Sequence, residues 1–410
     1  MKRLMFVIAQ TLGCALVCGA AVALPAMLAT SASAQSLAVL HRFRWENDGR
    51  GPYAGLVEDA AGNLYGTTVG GGAYTSGTVF RIAPGGAETL LYSFQYKNDG
   101  ASPNGSLILD SRGNLLGTAS RGGSKTCECG TVFRITPAGK FAVLYTFNGG
   151  AGDGAGPDGA LLADGRGNSY GTTASGGSTG CGAIGCGTVF RIGADGAESI
   201  VYFFTGRANG DGATPQNALI ADAHHNLYGT TAAGGDSDLG TVFRLAPDGT
   251  ETVLHSFAGS PDDGAGPYGG LVMDGAGNLY GTTGGGGSTK NCIAGCGTVF
   301  RIAPDGTETV LHFFKGGRDG SDPLSTLIFD NQGDLYGTTF SGGMETCFIC
   351  GTIFRMSPDG RMLMHFMFEG GKQGSNPWAG LMIDATGHLY GTTISDGGNH
   401  VKGTVFEFTP

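Results

Sequence analysis

The sequence predicts an all-β chain: a seven-bladed β-propeller of four-stranded antiparallel blades, closed by an N-terminal strand that completes the last blade. Three observations predict it. A paired motif of the form NLYGTT…GTVF recurs seven times, with its first glycine at Gly66, Gly117, Gly171, Gly229, Gly281, Gly337 and Gly391. The spacing of 51 to 58 residues is that of large repeat units, each one supersecondary element that needs neighbours to bury its faces. The repeat is also out of phase with the chain ends. A lone strand at residues 37–43 precedes the first complete unit, and the last unit stops one strand short at Pro410.

The first 34 residues are of another kind. Lys2 and Arg3 precede an apolar run that reaches about Leu24, and Ala32-Ser33-Ala34 precede Gln35. A basic start, an apolar middle and an A-x-A site read as a secretory signal peptide over residues 1–34, leaving 35–410 as the propeller. No second apolar stretch has membrane length, so no membrane span is expected after cleavage and the expected compartment is secreted or periplasmic. The formal charge of −10 becomes −12 once Lys2 and Arg3 are gone. No run of basic residues occurs, which argues against nucleic acid and anionic lipid as partners.

Within each unit four short runs have strand length, β-branched and aromatic content and no helical period. In the first unit they are strand a (55–59), strand b (63–68), strand c (77–82) and strand d (88–94). The a–b and c–d connections are tight turns with glycine where positive φ is needed. The Asp that ends strand a (Asp59 and its six counterparts) is expected to cap its turn through backbone N–H groups. Arg81, Arg191, Arg244 and Arg301 of strand c stand across the c–d turn from Glu88, Glu198, Glu251 and Glu308, a pattern that predicts exposed cross-strand ion pairs. Ring closure by residues 37–43 removes the open edges that a linear solenoid would leave.

Long, variable connections (b–c and d–a) collect on one face, where a functional site is expected. The d–a loops carry Asp48, Asp99, Asp153, Asp211, Asp263 and Asp319, with Gln373 in the last. One acid per loop falls short of the six to eight oxygens that Ca²⁺ takes, so Asp-Gly turn chemistry is the preferred account and no cofactor is expected. The position after each loop proline varies most: Tyr53, Asn104, Asp158, Gln216, Tyr268, Leu324 and Trp378. These side chains start the innermost strand and are expected to ring the channel mouth, where two roles are open to them, ligand contact and rim packing. The two tryptophans, Trp45 and Trp378, map to the loop face of blade 7, beside Tyr53. Flat aromatics with polar neighbours suit a sugar ring or a partner protein.

Eight cysteines remain after processing, as Cys127/Cys129, Cys181/Cys186, Cys292/Cys296 and Cys347/Cys350, all in b–c loops. The four loops that carry them span 13, 16, 16 and 14 positions from the strand b glycine to the strand c glycine, against 11, 11 and 12 for the others. In an oxidising compartment this reads as local disulfides stapling the longer loops, with bridges between neighbouring blades as the rival connectivity. His41, His255 and His312 share their strand d position with Tyr92, Tyr145, Tyr202 and Phe366, which reads as a packing site; only His400 falls in a working-face loop. No nucleophile elbow, phosphate loop or metal-spaced histidine cluster is present in the sequence.

At the level of the YGTT…GG…GTVF unit the chain resembles the bacterial choice-of-anchor tandem-repeat family called GloVer, over seven units of the mature chain. The resemblance implies export and a C-terminal surface anchor. The sequence stops at Thr409-Pro410 without a sorting tail, so release or periplasmic residence is the expectation here. A looser likeness, carried by the D-x-x-G-N-L-Y turn, is to propellers of the NHL and lactonase-like kind and implies fold alone. The leading functional expectation is an exported, non-catalytic binding module whose ligand, carbohydrate or extracellular protein, meets the loop face around Trp378, Trp45, Tyr53, Tyr268, Gln216, Asp158 and Asn104. A propeller enzyme of the lyase or lactonase type and a structural surface or assembly protein are the alternatives.

Overall fold

The computed structural model describes residues 35–44, 48–177, 179–344, 347, 349–395 and 402–410. The signal-peptide assignment, Trp45 and His400 lie outside the described residues.

Seven four-stranded antiparallel sheets follow one another as the blades of a β-propeller. In blade 1 the strands are a (Val57–Glu58), b (Leu64–Thr68), c (Thr78–Ile82) and d (Glu88–Ser93). Blade 7 takes a, b and c from Met382–Ile383, Leu389–Thr393 and Thr404–Thr409, and its outer strand is Ser36–Arg42 from the other end of the chain. That strand pairs antiparallel with Thr404–Thr409 from Ser36↔Thr409 to Arg42↔Thr404, so the predicted closure is present.

The glycine in strand b has a packing cause. Gly66 lies opposite Phe80, and a Cβ on Gly66 would stand 2.5 Å from the Phe80 ring; Gly229 stands in the same relation to Phe243 at 2.7 Å. The phenylalanine, seated over the bare strand, turns to the preceding blade. Phe43–Phe80, Phe94–Phe133, Phe147–Phe190, Phe204–Phe243, Phe257–Phe300, Phe314–Phe354 and Phe368–Phe406 each pair the ring directly after a strand d with the next blade's strand c ring, edge to face, at 5.0 to 5.4 Å. All of these rings are fully buried. Such contacts contribute roughly 0.5–1.5 kcal/mol each beyond the area they bury.

A second ring of contacts lies nearer the axis. The first threonine of each YGTT, or of its GTA counterpart in blade 2, donates its hydroxyl to a backbone carbonyl just after the next blade's loop proline or at the proline itself. Thr67 reaches Pro103, Thr118 Gly159, Thr172 Asn217, Thr230 Gly269 and Thr282 Ser325, at 2.9 to 3.2 Å. Thr338 reaches Ala379 at 3.4 Å, and Thr392 closes the circle on Ala54 at 3.1 Å. The glycine of GTVF interlocks with the same proline: Gly403 has φ +104°, and a Cβ there would meet Thr393 O at 2.3 Å and Pro52 Cδ at 2.5 Å.

Two expectations are corrected. Strand a is two residues long in every blade, not five, because the preceding residues run against the neighbouring inner segment instead of their own ladder; a Cβ on Gly105, for example, would stand 2.6 Å from Gly159 O. The cross-strand Arg–Glu pairs are absent among the described residues. Arg81 faces Thr89 in the ladder while Glu88 faces Ile82, so alternation puts their side chains on opposite sides of the sheet. Arg81 donates to Thr89 Oγ1 at 3.3 Å and Arg191 to Asn168 Oδ1 at 2.8 Å. Arg355 is ion-paired, but to Asp330 and Asp334 of the a–b turn, at 2.8 and 2.7 Å.

Candidate binding site at the channel mouth

The tight-turn face is accounted for by local structure. Asp59 accepts hydrogen bonds from the Ala61 and Asn63 backbone N–H groups and from the Tyr65 hydroxyl, at 2.8 to 2.9 Å. Against the upward push of burial, the Asn63 side-chain amide, which donates to Asp59 Oδ2 at 2.9 Å, and these bonds hold its carboxylate below the usual range.

On the opposite face the loop acids are engaged by their own blades. Asp99 accepts from the Tyr92 hydroxyl at 2.8 Å and from the Gln95 N–H at 2.9 Å. Tyr145–Asp153, Tyr202–Asp211, His41–Asp48, His255–Asp263 and His312–Asp319 repeat the contact at 3.0 to 3.3 Å. The strand d position is therefore a hydrogen-bonding site as well as a packing one, which corrects the reading from sequence. Blade 6 has Phe366 there, and its loop carries Gln373, whose amide oxygen takes over the backbone N–H of Glu369 at 3.1 Å. Among the described residues, no three His, Cys, Asp or Glu side chains converge as a metal-binding group.

The four disulfides join Cys127–Cys129, Cys181–Cys186, Cys292–Cys296 and Cys347–Cys350, each within its own loop, with Cα separations of 5.0 to 5.5 Å. They underpin the d–a loop of the same blade: a Cβ on Gly206 would stand 2.7 Å from Cys181 Sγ and 3.1 Å from Cys186 Sγ. Such bridges persist in oxidising compartments, so the protein is extracellular or periplasmic. No helix among the described residues is long and apolar enough to cross a membrane.

The seven variable positions converge. Tyr53, Asn104, Asp158, Gln216, Tyr268, Leu324 and Trp378 all line one cavity of about 480 Å³ at the channel mouth. Each follows a loop proline that is locked against the preceding blade's glycine, so the scaffold sets their position. Around the ring they sort into two arcs. Asn104, Asp158 and Gln216 form a polar arc on blades 2 to 4, and Tyr268, Leu324, Trp378 and Tyr53 form an apolar arc from blade 5 round to blade 1. Trp378 is held edge to face between Tyr53 at 5.5 Å and Phe340 at 5.4 Å, and Tyr268 is 42% exposed. Asn104 Nδ2 donates to Asp158 Oδ1 at 2.9 Å. Burial raises the Asp158 pKa, and the Asn104, Ser120 and Arg121 side chains offset part of that rise.

The floor of the cup is made of small residues and backbone, with the Gly55 N–H donating to Ser106 Oγ at 2.9 Å and the Gly270 N–H to Thr326 Oγ1 at 2.9 Å. Sequence reasoning missed two residues of the wall, Arg50 and Arg121, and the Phe340 ring that packs against Trp378. The arginines were legible in principle. Each d–a loop pairs with the following blade's b–c loop through an antiparallel bridge, and the paired positions are Gly, Ala or Ser throughout except for Arg50 at blade 1 and Arg121 at blade 2.

The model of the Gloeobacter/Verrucomicrobia repeat family matches residues 26–185, 180–293 and 289–410. No curated protein sequence matches the chain. Among solved structures, the extracellular domain of BT4673 from B. thetaiotaomicron, described as a hybrid two component system, superposes with a TM-score of 0.56 at 12% identity, over 89% of this chain and 39% of that one. A puromycin hydrolase mutant complexed with PGG gives a TM-score of 0.53 at 12% identity, over 85% of this chain and 50% of that one. The chain thus spans half or less of these structures, and at such identities the likeness is one of fold.

Proposed function

The chain belongs to the Gloeobacter/Verrucomicrobia repeat family, and from that premise we propose that it is an exported, non-catalytic binding propeller that takes a glycan at its channel mouth. One observation carries this reading: the positions that vary from blade to blade meet in a single cup with a polar arc facing an aromatic one. A sugar ring has that same two-sided chemistry. Its C–H face stacks on Trp378 or Tyr53, while its hydroxyls find Asn104, Asp158 and Gln216. The aromatic arc is braced by Phe340, so little side-chain freedom is lost on binding. Export through cleavage after Ala34 agrees with the disulfides, and an extracellular domain of a two component system shares the architecture.

Glycan arrays probed with the protein and with its Trp378→Ala/Tyr53→Ala variant test the reading. Binding that is lost in the variant, with the melting temperature kept, is the expected result. Equal binding by both proteins would move the ligand away from the mouth.

Asp158 favours a second reading, a propeller enzyme of the lyase or lactonase type, because a carboxyl with a raised pKa in a cup is suited to proton transfer. Product formation from a bound glycan, abolished in Asp158→Asn, would select that reading over simple binding.

A further inference from the structure

We infer that the groove between blades 3 and 4 on the tight-turn face is a second ligand site, for a small carboxylic acid with an apolar body. It lies on the opposite face from the channel mouth and does not depend on what the mouth binds.

Three departures from the repeat meet there. The second residue of strand a is Glu58, Leu109, Met273, Phe329 and Ile383 in five blades, and alanine, Ala163 and Ala221, in blades 3 and 4 alone. Both alanines line the groove, which has a volume of about 700 Å³ against about 540 Å³ for its counterpart between blades 1 and 2. The a–b turn has a glycine at φ +74° to +95° in six blades, and blade 4 has His225 there at φ +62°. A bulky side chain is held in that region at a cost, and residues held so collect at functional positions. His225 spans the groove: Arg166 of blade 3 donates from Nη2 to His225 Nε2 at 3.2 Å. The third departure is Tyr170. In blades 1, 4, 5 and 7 the strand b tyrosine donates its hydroxyl to the turn aspartate at 2.8 to 3.3 Å. In blade 3 the described residues that donate to Asp164 are Arg166 and Asn168, and the hydroxyl of Tyr170, which lines the groove, is not among the donors.

The lining sets the ligand's chemistry. Leu162, Val201, Leu227 and Leu245 give the groove an apolar side, and the last two are buried. On its polar side, every side-chain acceptor other than a hydroxyl is already engaged within the protein. Asp164 accepts from its own turn, Asn168 Oδ1 from Arg191 Nη2 at 2.8 Å and His225 Nε2 from Arg166. The donors are more numerous than those acceptors use: a guanidinium carries five N–H groups, Arg166 directs one of them to His225, and the hydroxyls of Tyr170 and Ser199 stand beside it. A ligand that fits brings acceptors and an apolar body. A carboxylate is acceptor-only and matches a guanidinium through paired N–H donors. Asp164 offsets part of the local positive charge, so the match rests on directed hydrogen bonds and apolar fit. His225 is a positioning residue that holds the Arg166 guanidinium at the groove.

Titration calorimetry of the full mature chain tests this with hexanoate and 3-phenylpropionate, each beside the alcohol of the same skeleton. At least one acid should bind about tenfold or more tighter than its alcohol. Ala163→Leu/Ala221→Met fills the groove with the residues that blades 2 and 5 already hold at those positions, so the fold should keep its melting temperature while acid binding is lost. His225→Gly restores the residue of the other six turns. It should weaken the acid by about threefold or more, through loss of the positioned guanidinium, with the melting temperature kept or raised. Arg166→Gln should bring the acid down to the level of its alcohol. Acid binding that survives in the filled variant would overturn the site, and alcohols bound as tightly as the acids would overturn the carboxylate assignment. Binding unchanged in His225→Gly would overturn the role given to His225. No heat from either series would overturn the inference as a whole.

Discussion

The hydroxyl of Thr392 in blade 7 donates to the carbonyl oxygen of Ala54 in blade 1 at 3.1 Å, although 338 residues separate them in the chain. The same threonine makes the equivalent bond between every other pair of neighbouring blades, so this contact marks the point where a linear repeat becomes a ring. Closure also shapes the channel mouth, because Trp378 and Tyr53, its aromatic pair, stand on either side of that joint.

Deleting residues 35–42 should therefore do more than remove one strand. The strand Thr404–Thr409 loses its partner, and Phe43 no longer approaches Phe80 from a fixed blade. The truncated chain is expected to lose its single cooperative melt and to become sensitive to limited proteolysis near blade 7. Thr392→Val, which removes one hydroxyl, should cost about 1 kcal/mol and leave the fold intact. A truncated protein that melts like the parent would refute the closure.

Gly229→Ala tests the packing rule of strand b. Its backbone is ordinary strand, so the obstacles to a side chain are the Phe243 ring, 2.7 Å from the new Cβ, and Leu219 Cδ2 at 2.8 Å. Overpacking of this kind costs roughly 1–3 kcal/mol. Phe243→Leu in the same chain should recover part of the loss, and chemical denaturation of the two variants reads both effects.

Stability should fall as pH rises from mildly acidic to neutral. Burial, followed by the neighbouring Asp153, Asp211 and Asp263 carboxylates, pushes Glu198, Glu251 and Glu308 up to about 7. Tyr145 partly opposes the rise at Glu198, and His255 does so at Glu308. These acids keep their protons in the folded chain at pH values where the unfolded chain has lost them. Their contribution is fully present below the ordinary glutamate pKa and is lost as pH climbs through about 7. Melting temperatures measured between pH 5 and 8 (roughly the span of these titrations) should decline, and Glu198→Gln/Glu251→Gln/Glu308→Gln should flatten the decline. Asp48, Asp263 and Asp319 act in the other direction: against the push of burial, their histidine and backbone hydrogen bonds hold them low, so their stabilisation is lost only as pH drops through the acid range.

Much of this was legible in the sequence because strands b, c and d repeat with period two and end in turn residues with definite conformational demands. The variable position after the loop proline was legible for the same reason: a fixed scaffold throws its variation into relief. Other features depended on parity or on distance. Arg81 and Glu88 look like partners across a turn, but the register sets Glu88 against Ile82 and sends the two side chains to opposite faces. Tyr92 and Asp99 were each assigned a local role, and only the fold shows that they share a hydrogen bond, with Phe366 and Gln373 as the coordinated exception. Arg50 and Arg121 form no cluster along the chain and line one cavity only because blades 1 and 2 stand side by side.

Trp378 supplies the most direct test of the claim that ligand is bound at the channel mouth. The chain has two tryptophans, so in a Trp45→Phe background the indole emission comes from Trp378 alone. Titration with the glycan that binds in calorimetry should shift or quench that emission saturably, at the same midpoint as the calorimetric isotherm. Heat of binding with the Trp378 emission unmoved would contradict the account.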